Sequence, residues 1–131
     1  MDPAAITERF KGTLGDLLGI RFVEATPDRV VAELTYRADL TTIGGSLHGG
    51  TLMAFADTVG AAATVLNLPP GASTTTLESK TNFFAAGRGG TVRAESTPLH
   101  RGKRTMVWQT RVTDASGRLL SLTIQTQMVL T

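Results

Sequence analysis

The sequence predicts an α+β domain in which an antiparallel β-sheet wraps around one long, buried central helix, with a short helix ahead of it. Three observations carry that prediction. Gly49 to Leu66 is apolar nearly all round, so as a helix it needs cover on most sides. The sixty residues that follow it carry β-branched, aromatic and alternating apolar patterns broken only by short turns. No strand–helix repetition runs along the chain, which argues against a doubly wound parallel sheet.

The elements follow in order. Residues 3–18 place Ile6, Phe10, Leu14 and Leu17/Leu18 on one helical stripe, with Pro3 suited to the first turn and Gly19 to the stop. Ile20–Thr26 and Val30–Tyr36 read as strands around the turn at Pro27-Asp28. Arg37–Ser46 is loop, and the long helix ends at Asn67 before Pro69-Pro70-Gly71. Thr74–Phe84, Thr91–Leu99, Arg104–Asp114 and Leu119–Leu130 are the remaining strands, with turns at Ala85–Gly90, His100–Lys103 and Ala115–Gly117. In the last strand Leu120, Leu122, Ile124, Met128 and Leu130 alternate with Ser121, Thr123, Gln125 and Gln127.

Composition narrows the class. The 131 residues suit a single domain over 1–131, and 41% hydrophobic with 18% charged residues is globular. A net charge of +2 does not suggest bulk nucleic-acid binding. The absence of cysteine removes disulfides, thiolate nucleophiles and Cys-based zinc sites. The N-terminus lacks an apolar signal core, and the longest apolar run, Leu52–Leu66, is short for a bilayer and contains an acid. The expectation is a soluble cytoplasmic protein with no membrane or nucleic-acid partner, no metal and no cofactor.

That acid, Asp57, is the only formally charged side chain between Asp39 and Glu78. A buried carboxylate is costly unless paired or hydrogen-bonded. The bland reading is a structural acid satisfied by backbone or by hydroxyls such as Thr58 or Thr64. The functional reading draws on the loop Gly44-Gly-Ser-Leu-His-Gly-Gly50 just ahead of it. A helix N-terminus presents unpaired N–H groups and a positive dipole end, and Gly49 and Gly50 leave them uncovered. Gly49, with Gly50 as a second candidate, can donate to an oxyanion, while His48 either caps the helix or bonds a substrate. Asp57 is a candidate nucleophile or general base.

Geometry divides these groups. Eight residues separate Gly49 from Asp57, about 12 Å at the rise of an α-helix. One reacting carbon cannot lie roughly 3 Å from both. The acid must come from a neighbouring subunit, so the site requires a homodimer.

Thr42, Gly44, His48-Gly49-Gly50 and an acid nine residues after the histidine, with the order of elements, resemble the hotdog-fold acyl-CoA thioesterases. The branch that this pattern is most similar to includes the phenylacetate-pathway (PaaI-like) and hydroxybenzoyl-CoA thioesterases. Thr75-Thr76-Leu77-Glu78 with Asn82-Phe83 resembles the family's next strand, and Gly102-Lys-Arg-Thr105 its coenzyme-facing turn. The resemblance implies hydrolysis of an acyl-CoA to free acid and CoA, with coenzyme A entering only as part of the substrate. It implies a homodimer and often a homotetramer. Thr76 is expected to face the cleft, and Arg88, Arg101, Lys103 and Arg104, with His100 nearby, to meet the nucleotide phosphates. The chain departs from the pattern at Thr42, where the family usually has Asn or Gln; a hydroxyl is shorter and carries one proton. Two alternatives stay open: a hotdog enoyl hydratase or dehydratase using His48 as proton shuttle, and a non-catalytic acyl-CoA-binding domain. A carrier-protein thioester fits the same chemistry as acyl-CoA.

Overall fold

The computed structural model describes residues 1–131. Two short helices, α1 (Pro3–Arg9) and α2 (Leu14–Leu17), precede strands β1 (Arg21–Thr26) and β2 (Arg29–Thr35). A 3-10 turn (Ala38–Leu40) and the glycine loop lead into α3 (Gly49–Val65), followed by β3 (Ser73–Phe83), β4 (Thr91–Arg101), β5 (Thr105–Thr113) and β6 (Leu119–Leu130). The six strands form one antiparallel sheet in the order β1-β2-β4-β5-β6-β3. α3 lies against the inner face of that sheet and touches β2 through β6. This is the helix-in-sheet architecture that the sequence predicts.

Packing explains the arrangement. Phe55, Val59 and Ala63 of α3 are fully buried against Val30, Leu34, Val92, Trp108 and Val112. The helix is held on three sides only. Met53, Asp57, Ala61 and Val65, four residues apart, form a stripe that the chain leaves exposed or half-buried. Thr7 of α1 accepts the β1 amide of Phe22 at 2.8 Å, so α1 satisfies part of an edge strand.

Three details differ from the sequence reading. The single helix expected over 3–18 is broken: Gly12 takes φ +80°, a left-handed conformation that ends one segment before the other starts. The turn expected at His100–Lys103 is narrower, because β4 pairs His100 with Val107 and Arg101 with Met106 across a bulge. In β6 the polar set faces inward. Ser121, Thr123, Gln125 and Gln127 are fully buried, while Ile124 and Leu130 are exposed.

Candidate active site

The site is built where the glycine loop enters α3. Tyr36 donates its hydroxyl to the Gly45 carbonyl at 2.5 Å, and Thr42 and Ser46 close a tight turn through Thr42 N–H to the Ser46 carbonyl at 2.8 Å. Gly45 sits at φ +86° in that turn. Leu47 is buried beneath it and anchors the next residue, His48, as the N-cap. His48 Nδ1 accepts the Gly50 N–H at 2.7 Å, so this ring nitrogen carries no proton and Nε2 does.

That cap separates the two amides that the sequence proposes. The Gly50 N–H is committed to His48, whereas the Gly49 N–H has no acceptor within the chain. A Cβ at Gly49 would lie 3.1 Å from the Phe83 ring, so Phe83 leans over this position and Gly49 is small for a reason. Phe83 itself remains 49% exposed.

Asp57 is half-buried on the open stripe of α3 rather than sealed within the core. Its Oδ1 accepts from the Thr76 hydroxyl at 2.9 Å and from Gln125 Nε2 at 2.8 Å. Its Oδ2 accepts nothing from this chain. Thr58 and Thr64, the helix hydroxyls considered as its partners, instead bond their own i−4 carbonyls at Ala54 and Gly60. Behind the first donors stands a second row: Gln127 Nε2 donates to the Thr76 hydroxyl at 2.6 Å, and the Thr74 hydroxyl lies 2.9 Å from Gln127 Oε1 and 2.8 Å from the Met128 carbonyl. The Thr76 proton is therefore committed to Asp57.

Gln125, Gln127 and Thr74 escape the sequence reading. The signal for them is weak: two glutamines two apart in a strand, hence on one face, with no hint that the face is the inner one.

The structure divides the predicted phosphate contacts. Arg88 lies beside the glycine loop and donates to the Gly44 carbonyl at 3.3 Å. Arg101 is tied to Asp28 at 2.8 Å, to the Pro27 carbonyl at 3.1 Å and to Asn67 at 3.3 Å, which fastens β4 to the end of α3. Lys103 and Arg104 are exposed and make no ion pair. Arg101 and Lys103 share a surface depression of about 560 Å³ with Asn67 and Val129. Thr42 is exposed, its hydroxyl 3.5 Å from that of Ser46. An apolar cavity of about 230 Å³ opens between α1 and α3, lined by Ile6, Phe10, Ala61, Ala62 and Val65 among others. It begins one helical turn beyond Asp57.

Gly49 and Asp57 stand at the first and ninth positions of one unbroken helix, so about 12 Å of rise keeps them apart in a single chain. No cluster of three or more His, Cys, Asp or Glu side chains is placed to hold a metal ion.

Comparison with known proteins points one way. Residues 44–121 match the profile of the thioesterase superfamily. The 1,4-dihydroxy-2-naphthoyl-CoA hydrolase of Escherichia coli (strain K12) is 31% identical over 115 residues, covering 88% of this chain and 85% of its own. A thioesterase from Haemophilus influenzae superposes with a TM-score of 0.96 at 25% identity, covering 100% of this chain and 92% of that one. The Escherichia coli PaaI protein from the phenylacetic acid degradation operon superposes at 0.87 with 22% identity, covering 98% and 91%, a likeness of fold.

Proposed function

This chain belongs to the thioesterase superfamily of hotdog-fold hydrolases, and from that premise we propose that it hydrolyses an acyl-CoA in a site shared between two subunits. The observation that carries the proposal is the free Gly49 N–H at the start of α3, with a carboxylate oxygen, Asp57 Oδ2, also free on the open stripe of the same helix. The first is suited to an oxyanion and the second to activating or delivering a nucleophile. A second copy of α3 brings the partner's Asp57 to this Gly49 and covers the stripe that the chain leaves bare.

In that site the thioester carbonyl oxygen points at the Gly49 amide. Asp57 either takes a proton from the attacking water or attacks the acyl carbon itself, forming an anhydride that water then opens. In both routes the carbon–sulfur bond breaks, the thiolate of coenzyme A takes up a proton, and water supplies the oxygen and hydrogen of the free acid. The apolar cavity beside Ala61 is a seat for an apolar acyl group. Lys103 and Arg104, exposed and unpaired, are the cations best placed to meet phosphates, with Arg88 at the loop. His48 serves the site as a cap: its Nδ1 is engaged by Gly50, which favours hydrolysis over hydration through a histidine shuttle.

The test is release of free thiol from aromatic, short-chain and long-chain acyl-CoAs by the wild type and by Asp57→Asn. Turnover of at least one substrate is expected, with a loss of about a thousandfold or more in the variant and an unchanged circular-dichroism spectrum. Wild-type rates in Asp57→Asn would remove Asp57 from the mechanism. Enoyl-CoA hydration without thiol release would place the chain with the hydratases.

A further inference from the structure

We propose that Gln125 and Thr76 are positioning residues that fix the Asp57 carboxylate so that Oδ2 is the reacting oxygen. The proposal rests on the reading of Asp57 as the reacting acid, and its observations are separate from those that support that reading.

Both donors converge on one carboxylate oxygen, Oδ1, from two different strands. A carboxylate held at one oxygen by two bonds cannot rotate about its Cβ–Cγ axis, so the other oxygen keeps one direction. The Thr76 hydroxyl has only one proton, and its direction is settled because Gln127 Nε2 donates to the same oxygen at 2.6 Å. Gln127 Oε1 in turn lies 2.9 Å from the Thr74 hydroxyl, whose one proton it shares with the Met128 carbonyl at 2.8 Å. From Gln127 to Asp57 the relay runs in one sense, Gln127 donating to the Thr76 hydroxyl and Thr76 to the acid.

Gln125 carries the sharper argument. It is fully buried, yet its Oε1 has no hydrogen-bond partner. A buried acceptor left empty opposes folding, and a leucine of similar size would remove the defect. The fold also gives up a side chain to admit this amide: a Cβ at Gly60 would stand 2.1 Å from Gln125 Oε1. A residue retained for packing would show neither feature. What the position obtains in exchange is the hold of Nε2 on Asp57, at 2.8 Å from Oδ1 and 3.4 Å from the backbone carbonyl.

The test separates positioning from structure by measuring kcat, KM and Tm together, in the thiol-release assay, for Thr76→Val, Thr76→Ser, Gln125→Leu and Asp57→Asn. Thr76→Val and Gln125→Leu are expected to lower kcat roughly 10- to 100-fold with KM within about threefold of wild type. Thr76→Ser, which keeps the hydroxyl, restores kcat to within about threefold. Gln125→Leu keeps or raises Tm, because it removes an unpaired acceptor; a structural glutamine would lose Tm and activity in parallel. In the Asp57→Asn background neither substitution lowers the residual rate further. Wild-type kcat in both Thr76→Val and Gln125→Leu, with Asp57→Asn inactive, overturns the positioning role and leaves Asp57 standing. An active Asp57→Asn instead removes the acid reading on which the proposal depends. Should Gln125→Leu fail to fold, the Thr76→Val and Thr76→Ser pair decides: equal kcat in the two overturns the assignment.

Discussion

At the scale of single residues, the capping role of His48 has a direct consequence. Its Nδ1 satisfies one of the first amides of α3, as a Ser or Asn at an N-cap does with its oxygen. Replacing it by Ala removes that acceptor and is expected to destabilise the chain by about 1 kcal/mol, or roughly 3 °C in Tm. His48→Asn restores the acceptor and should recover most of the loss in a thermal melt, with kcat within about fivefold of wild type. A large fall in kcat for His48→Asn at wild-type Tm would give the imidazole a chemical role. His48, Gly49 and Asp57 are legible in the sequence because their relations are local: one loop, one helix, fixed spacing. The donors to Asp57 are not legible there for the opposite reason. Gln125 lies 68 residues away in the chain, and only the register of β6 with β3 sets it beside Thr76 and under α3. The same distance explains why the nearer hydroxyls of Thr58 and Thr64 look like better partners than they are; a helical hydroxyl finds its own carbonyl first.

At the scale of elements, the strands are readable and their orientation is not. Period-2 alternation places Gln125 and Gln127 on one face of β6, yet hydrophobicity alone would turn Leu122, Ile124 and Met128 inward. The observed register does the reverse, and three of the four inward polar side chains find partners there: Thr123 shares a hydrogen bond with Thr81 at 2.7 Å, Gln125 donates to Asp57 at 2.8 Å and Gln127 to Thr76 at 2.6 Å, while Ser121 Oγ has none. Register is also fixed from the β5–β6 hairpin. Asp114 Oδ1 accepts from the Ser116 hydroxyl at 2.6 Å, the Ser116 amide at 2.9 Å and the Arg118 amide at 3.0 Å, and Gly117 turns the chain at φ +88°. The Ser116 hydroxyl first, then the Arg118 amide, hold the Asp114 carboxyl below its ordinary value. A group depressed in the folded state adds stability above the unfolded carboxylate range and loses it as pH falls through the folded value. Asp114→Ala should therefore melt below wild type at neutral pH, and the gap should close in melts taken down to about pH 2. A gap that stays constant with pH would assign the effect to chain geometry rather than to the charged cap.

At the scale of the whole molecule, the central question is whether one α3 works alone. The helix leaves Met53 and Val65 exposed and Asp57 and Ala61 half-buried, and Phe83, which leans over Gly49, is 49% exposed. The shared site proposed above would resolve both those surfaces and the separation of about 12 Å along the helix, with the Asp57 of a second copy entering the first copy's site. Two variants that each break one half of it make this testable. Gly49→Pro removes the N–H at the first helical position, where proline is tolerated, and behind a His48 already extended at ψ 139°. The half-exposed Phe83 ring has solvent to move into as it yields to the new Cβ. Asp57→Asn removes only the acid. Each homodimer lacks one half of both its sites and should be inactive. A mixed dimer contains one site with both defects and one with neither, since the intact Gly49 and the intact Asp57 come from different chains. Random re-pairing of equal amounts makes half the dimers mixed, each with one working site of two, so activity should return to roughly a quarter of wild type. A same-chain site predicts no recovery at any mixing ratio, because every chain would carry a defect in its own site. Thiol release after co-refolding, compared with the variants mixed as preformed dimers, reads the outcome directly.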